Sequence, residues 1–333
     1  MAVAHGAAAA GAASFVDPWP NGESINGIVE RSVTFPSHSP FSLAYIGNGA
    51  NDDPPEPAVG TLFLPAPEKR NGKAPAVVML HGSAGVLPTR EYTYGRQLAA
   101  MGFAALAIDT FAARRARATS FLDRVIEITE AMFLADAYSA LKWLGTQPEV
   151  DGDRVALMGF SYGAMATVYA AFSQVAEKLA PGGERFAAHI AFYGPCIARF
   201  RDSRATGAPV AMLYGTEDEI IDPVRCLDVK GDLEKGGAKV DLFAFSGAYH
   251  QWDGGRAGPF RIGRTLNGCR LTVDQNLMAR DADTGLSMSG PFMRKIILGL
   301  CSGGSGYLIG RDDTVREKSN RVIAAILTRA FRR

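Results

Sequence analysis

One short stretch constrains the fold more than any other, the pentapeptide Gly159-x-Ser161-x-Gly163. The apolar run at residues 155–158 before it predicts a buried strand, and the apolar run at residues 164–175 after it predicts a buried helix. A serine in so sharp a strand-to-helix turn is typical of a nucleophile elbow. The flanking glycines fit, because a side chain at either position would keep the strand and the helix apart. The pentapeptide alone also arises by chance, so the flanking elements support the interpretation.

Composition limits the class of protein. The chain has 333 residues, of which 47% are hydrophobic and 21% are charged, as in a globular protein of one large domain or two small ones. The net charge of +1 offers no argument for binding nucleic acid, and no apolar run is long enough to span a membrane. The four cysteines are too few and too scattered to predict a zinc site, so no metal is expected.

The N-terminal residues 1–30 lack a hydrophobic period and are expected to be poorly ordered or draped on the surface. Their Ala/Gly-rich start has an Ala-x-Ala-like run but no basic region or strongly apolar stretch of a signal peptide. We therefore favour an exported or periplasmic protein only slightly over a cytoplasmic one.

Residues 31–253 predict an α/β core. Short strands at 32–35, 41–46 and 59–64 open it as an antiparallel meander. From residue 74 strands alternate with helices, which predicts a mostly parallel central sheet with helices on both faces. The strands of this part are expected at 76–80, 103–108, 155–158, 186–193, 209–214 and 240–245, and the helices at 92–101, 120–145, 164–175 and 223–235. An extra segment, 254–310, contains a hairpin at 269–288 and a helix at 292–300, and an amphipathic helix closes the chain within 311–333.

A serine hydroxyl needs a base to become a nucleophile, and the base needs an acid to orient it. In this fold the chain order is serine, acid, histidine. His250 follows the last predicted strand, at the sheet edge where Ser161 emerges, whereas His189 lies inside a strand and is expected to be a core residue. The acid should lie in the loop after strand 209–214. Asp218 is our choice there, although spacing alone does not separate it from its neighbours Glu217, Glu219 and Asp222.

Two backbone N–H groups are expected to form an oxyanion hole. One is the N–H of Tyr162, at the start of the helix after the nucleophile. The other should come from the small-residue loop after strand 76–80, from Ser83 or Ala84, and the sequence does not decide which. His81, just before this loop, is expected to support it structurally.

An ordered set of motifs resembles the dienelactone hydrolase family of α/β-hydrolases over about residues 59–252. The motifs are Val78-Met79-Leu80-His81-Gly82-Ser83-Ala84-Gly85, residues 97–109, Met158-Gly159-Phe160-Ser161-Tyr162-Gly163, Tyr214-Gly215-Thr216-Glu217-Asp218 and Gly247-Ala248-Tyr249-His250. The resemblance implies an α/β-hydrolase fold and hydrolysis of an ester or lactone without a cofactor. By position it implies Ser161 as nucleophile, Asp218 as acid and His250 as base.

The chain departs from that family in two ways. The namesake enzymes have a cysteine at the elbow, and this chain has Ser161, which favours ordinary carboxylic esters over dienelactone itself. The family also ends soon after its histidine, whereas about 80 residues follow His250 here. Segment 254–310 is expected to cover the site, to form a homodimer contact or to pack on the back of the sheet.

Four residues are candidates for contact with substrate. The family's lactonases hold a substrate carboxylate with arginines, and Arg90 lies near one such position. Phe111, Tyr193 and Trp252 follow strand ends and would give an aromatic wall. Ordinary packing, or exposure to solvent for Arg90, is the alternative for each.

The cysteines suggest two pairs. Cys196 and Cys226 lie in loops expected to be neighbours, and Cys269 and Cys301 both lie in the extra segment. An exported protein would carry Cys196–Cys226 and Cys269–Cys301 bridges, and a cytoplasmic one would carry four buried thiols.

The leading hypothesis is a serine hydrolase that cleaves a small carboxylic ester or lactone through an acyl-enzyme. One alternative is acyl transfer by the same three residues. Another is a non-catalytic binding protein on the same fold, which an elbow buried under segment 254–310 would favour.

Overall fold

The computed structural model describes residues 25–70, 72–118, 120–263 and 265–331. The expectation for residues 1–24 lies outside these ranges. The first strand already begins at Val29, so the ordered core starts two residues before the boundary expected from the sequence. Within the described ranges, no helix is both long and apolar enough to cross a membrane.

The strands and helices of the described residues are as follows. The strands are β1 Val29–Phe35, β2 Ala58–Leu64, β3 Ala74–Leu80, β4 Ala104–Ile108, β5 Val150–Phe160, β6 Ala188–Phe192, β7 Ala198–Phe200, β8 Val210–Gly215, β9 Val240–Phe245, β10 Phe260–Ile262, β11 Leu271–Val273, β12 Ala279–Asp281 and β13 Tyr307–Ile309. The helices are α1 Thr93–Ala100, α2 Thr110–Ala113, α3 Phe121–Glu127, α4 Glu130–Gly145, α5 Tyr162–Tyr169, α6 Ser173–Leu179, α7 Pro223–Lys235, α8 Pro291–Cys301 and α9 Asp313–Phe331.

Eight strands form the central sheet in the order β1-β2-β4-β3-β5-β6-β8-β9. β2 runs antiparallel to both of its neighbours, β1 and β4, and the remaining pairs are parallel. This confirms the predicted antiparallel start and the parallel remainder. Strands β4 and β6 are buried along their whole length. Their continuous apolar sequences follow from the helices that cover both faces of the sheet.

Two apolar layers cover the sheet. One contains the buried faces of α4, α5 and α7, and the other contains those of α1 and α9. The predicted amphipathic closing helix is therefore α9, with Val315, Ile323 and Leu327 turned towards the sheet. Both layers leave the carboxyl ends of the parallel strands free of helix, and loops from these ends meet there.

The prediction differs from the structure in three places. Residues 41–46 form a 3₁₀ turn at Leu43–Tyr45 and not a strand. The helix predicted at 120–145 is two helices, α3 and α4, because Ile128 and Thr129 are extended between them. The helix predicted at 164–175 likewise divides into α5 and α6. The α3–α4 break matters for the site, because it frees the carbonyl of Ile128 to accept a hydrogen bond from Tyr162.

The segment 254–310 packs at the carboxyl edge of the sheet. Its strands β10 and β13 pair with each other, and the predicted hairpin forms as β11 and β12, with β11 also parallel to β7. The predicted helix is α8. Both predicted disulfides, Cys196–Cys226 and Cys269–Cys301, are present. The second joins the loop before β11 to the end of α8, so α8 is held covalently to the rest of the segment.

Candidate active site

Ser161 occupies a strained turn between β5 and α5. Its φ is +52°, in the left-handed region that residues with a side chain rarely adopt. The two glycines of the pentapeptide allow the turn. A Cβ on Gly159 would lie 2.3 Å from the carbonyl oxygen of Gly163, and a Cβ on Gly163 would lie 2.4 Å from the carbonyl oxygen of Leu80. Any larger residue would therefore push apart the strand, the helix and the neighbouring strand β3.

Ser161, His250 and Asp218 form a continuous hydrogen-bonded row. The Ser161 Oγ lies 2.9 Å from His250 Nε2, and His250 Nδ1 lies 2.7 Å from Asp218 Oδ2. The Asp218 carboxylate is an acceptor, so Nδ1 carries the proton and Nε2 is left to accept from the serine. The second carboxylate oxygen of Asp218 accepts the N–H of Ile220 at 3.0 Å, which orients the group. All three side chains are buried.

Backbone contacts bring the acid and histidine loops together. A Cβ on Gly215, at the end of β8, would lie 2.1 Å from the carbonyl oxygen of Ala248, so only glycine permits this approach. The N–H of Glu217 donates to the same carbonyl. On the other side, the N–H of His250 donates to Leu308 of β13 and its carbonyl accepts from Gly310. The extra segment thus holds the histidine loop in place.

The other two histidines near the sheet are buried. His189 lies within β6, and burial lowers its pKa to about 4, so it is neutral at neutral pH, as expected for a core residue. His81 donates from Nδ1 to the carbonyl of Gly82 at 2.7 Å and packs against Phe111 and Phe133. Burial lowers the pKa of His81 as well. It supports the loop after β3, as the sequence suggests.

The structure separates the two candidates for the second oxyanion donor. Ser83 lines a cavity together with Ser161 and Tyr162, whereas Ala84 is exposed and lies outside that lining. The N–H of Tyr162 belongs to the first turn of α5, where backbone N–H groups have no partner within the helix. Both donors therefore lie next to the serine, as an oxyanion hole requires.

A cavity of about 260 Å³ opens at Ser161. It is lined by Ser83, Val125, Ile126, Ser161, Tyr162, Pro195, Ile220, Leu266, Lys295, Leu298, Gly299, Ser302 and Tyr307. Most of these side chains are apolar, and among the described lining residues Lys295 is the charged one. Six of them belong to segment 254–310, which therefore covers the site. The described residues contain no cluster of three or more histidine, cysteine or acidic side chains that would hold a metal ion.

Arg90 is not a cavity residue in the structure. Its side chain is fully buried and pairs with Glu91, with Nη2 at 2.6 Å from Glu91 Oε1. The guanidinium also packs over the Phe160 ring and lies within 3.4 Å of the Tyr193 hydroxyl. The expectation of a substrate contact is thus corrected, because a buried charge needs a partner and Glu91 supplies it from the next position.

The three aromatic candidates are also packed away from the cavity. Phe111 packs against His81. The Tyr193 hydroxyl donates to Asp253 at 2.5 Å, and the Trp252 indole donates to Ser319 at 3.1 Å. None of the three appears in the lining, so their role as an aromatic wall is corrected to that of core support behind the histidine.

Sequence reasoning missed most of the cavity wall. Pro195 and Ile220 follow the ends of β6 and β8, and their position after parallel strands was a usable signal. Tyr307, Leu298 and Lys295 had no such signal, because they belong to a segment without a recognised motif.

Comparison with known proteins identifies the family. The dienelactone hydrolase family model matches residues 61–254, more than half of the chain. The chain belongs to the dienelactone hydrolase family. It is therefore a hydrolase-family protein with the α/β-hydrolase fold, as the motifs predicted. The family match ends at residue 254, so the segment that covers the cavity lies outside it.

Solved structures of this fold are similar to the chain at low identity. A dienelactone hydrolase-like promiscuous phosphotriesterase, P91, from metagenomic libraries is 22% identical, covering 68% of this chain and 85% of its own, with a TM-score of 0.51. The esterase rPPE is 18% identical (69% and 76% covered, TM-score 0.48), and esterase 2 of Thermogutta terrifontis is 16% identical (68% and 86% covered, TM-score 0.47). A search of curated protein sequences gives no match.

Proposed function

We propose that this protein is a serine hydrolase that cleaves a carboxylic ester or lactone through an acyl-enzyme intermediate. The observation that supports this most directly is the hydrogen-bonded row from Ser161 through His250 to Asp218, opening on an apolar cavity. Membership of the dienelactone hydrolase family supports the broader class.

The geometry supports the following steps. His250 Nε2 takes the proton of Ser161 as the serine oxygen attacks the carbonyl carbon of the ester. The negative oxygen of the tetrahedral intermediate accepts the N–H groups of Tyr162 and Ser83. The imidazolium, stabilised by Asp218, then protonates the leaving alcohol, and a water activated by the same histidine releases the acid.

Acyl transfer to an alcohol or amine is a second candidate. The cover formed by segment 254–310 and the apolar lining favour it, since both limit access of water to the acyl-enzyme. Product analysis with a short alcohol present distinguishes the two, because a transferase forms the new ester at the expense of the free acid. The non-catalytic alternative is disfavoured because Ser161 lines an open cavity and is not sealed by the cover.

The test is hydrolysis of p-nitrophenyl acetate and butyrate by the wild type and by Ser161→Ala, His250→Ala and Asp218→Asn. Loss of the serine or the histidine should lower kcat by about 10⁴-fold or more, and Asp218→Asn should lower it by about 10³–10⁴-fold through the wrong histidine tautomer. The matched control is Glu217→Gln, an exposed acid in the same loop, which should keep wild-type activity. A wild type that hydrolyses no ester and is not labelled at Ser161 by a fluorophosphonate would contradict the proposal.

A further inference from the structure

The extra segment reaches the residue next to the nucleophile through one side chain, Arg294 of α8. Its guanidinium is buried, and its Nη2 lies 2.8 Å from Glu130 Oε2 and donates to the Tyr162 hydroxyl at 3.0 Å. Nη1 donates to Glu130 Oε1 at 3.2 Å and contacts the Met288 sulfur, and Nε donates to the carbonyl of Val125 at 3.2 Å. All three nitrogens therefore have acceptors.

Tyr162 is held at both ends of its side chain and backbone. Its hydroxyl donates to the carbonyl of Ile128 at 3.0 Å and accepts from Arg294, and its ring packs edge-on against Phe133. Its own N–H begins α5 beside Ser161. A shift of the phenol would therefore move the peptide whose N–H faces the developing oxyanion.

The charges at this junction balance. Burial alone would raise the pKa of Glu130, but the charge and hydrogen bonds of Arg294 outweigh it and the pKa is lowered. For Arg294, burial would lower the pKa, and the charge of Glu130 outweighs it in the other direction. The pair is thus ionised in the folded protein, and the guanidinium keeps a fixed, planar set of donors against Glu130 and Tyr162.

Three elements meet at this one guanidinium. α8 supplies Arg294 and also the cavity residues Lys295 and Leu298, α4 supplies Glu130 at its first residue, and α5 supplies Tyr162. The family model ends at residue 254, so a side chain from outside the family core is built into the base of the site.

We propose that Arg294 is a positioning residue for the reaction: it sets the oxyanion donor Tyr162 and the cover helix α8 in register with Ser161. This inference rests on the proposed serine-hydrolase function. The substrate itself does not touch Arg294, whose effect passes through the Tyr162 phenol. Preorganised donors matter in this way because a displacement of about 1 Å lowers rates by about 10²-fold.

The test compares Arg294→Lys and Arg294→Met with Tyr162→Phe, using p-nitrophenyl acetate, a substrate too small to report on the cavity wall. We expect kcat to fall about 10- to 100-fold for Arg294→Met with KM within twofold, and Arg294→Lys to recover part of the loss. Tyr162→Phe removes the contact from the other side. The double variant Arg294→Met/Tyr162→Phe should therefore be no slower than the slower single variant.

A matched control separates positioning from stability. Arg114 is buried in a similar pair with Asp136, at 2.7 Å, away from the cavity. Arg114→Met should lower the unfolding midpoint as Arg294→Met does but keep wild-type kcat per folded molecule. Wild-type kcat in folded Arg294→Met, or independent and additive effects of the two single variants, would overturn the inference while leaving the serine-hydrolase function intact. An inactive wild type that a fluorophosphonate does not label would overturn both.

Discussion

The Tyr193 hydroxyl donates a hydrogen bond of 2.5 Å to Asp253, while its ring packs edge-on against His250 with the centroids 4.6 Å apart. Asp253 lies three residues after His250 and is fully buried, and burial raises its pKa despite the opposing charge of Arg90. Tyr193 itself has a φ of +43°. One residue in a strained conformation thus supports the histidine with its ring and satisfies a buried carboxyl group with its hydroxyl.

These two roles can be separated by mutation. Tyr193→Phe keeps the ring against His250 but leaves Asp253 without a donor. We expect it to lower the free energy of unfolding by about 1–3 kcal/mol with kcat within about threefold of wild type. Tyr193→Leu also removes the ring and should lower kcat by a further factor of about 10. Urea unfolding and ester hydrolysis measure the two effects. Equal kcat in Tyr193→Phe and Tyr193→Leu would contradict a role of the ring.

Much of the fold and of the hydrogen-bonded row was predictable from sequence, since both rest on local rules. Apolar runs and small residues mark the strands and the elbow, and chain order selects Asp218 and His250 once Ser161 is located. The cavity wall and the partner of Arg90 were not predictable. Leu298 and Tyr307 reach the site only through the tertiary path of segment 254–310, and Arg90 is neutralised by Glu91, a pairing that its spacing does not reveal.

Acidification should destabilise the protein through His189. Its pKa is about 4 in the folded protein against 6.5 for an unburied histidine. Between those values the unfolded chain binds a proton that the folded protein excludes. Stability is therefore present above pH 6.5 and is lost as the pH falls towards 4, by up to about 3 kcal/mol for this residue.

The matching variant is His189→Leu, which removes the titrating ring. The free energy of unfolding, measured by urea at pH 7.0, 5.5 and 4.5, should fall less steeply with acidification than in wild type. His81, whose pKa burial also lowers, keeps a residual slope of the same sign. Identical slopes for the wild type and the variant would show that His189 does not titrate in this range.

The two disulfides offer an internal comparison, because they close loops of similar length, with sequence separations of 30 and 32 residues. Loop-closure entropy assigns each about 3–4 kcal/mol. Replacing Cys196 and Cys226 with alanine, or Cys269 and Cys301, should therefore cost similar stability. Only the second pair ends α8 beside the cavity residue Ser302, so only that variant should also raise KM for butyrate esters.

A thiol count on the denatured, unreduced protein provides the control for that comparison. None of the four cysteines should react, since the structure contains no free cysteine among the described residues. Four reactive thiols would rule out both bridges, and two would identify one bridge as missing before any stability is compared.

Leu298 should set the size of the acyl group that the cavity accepts. It projects from α8 into the cavity that opens at Ser161. Leu298→Phe fills this space and should lower kcat/KM for p-nitrophenyl hexanoate about 10-fold or more relative to acetate, whereas Leu298→Ala should shift the ratio the other way. Leu300→Phe is the matched control, because Leu300 lies on the same helix but is 68% exposed. A hexanoate-to-acetate ratio that Leu298→Phe and Leu300→Phe change equally would place the acyl group outside this cavity.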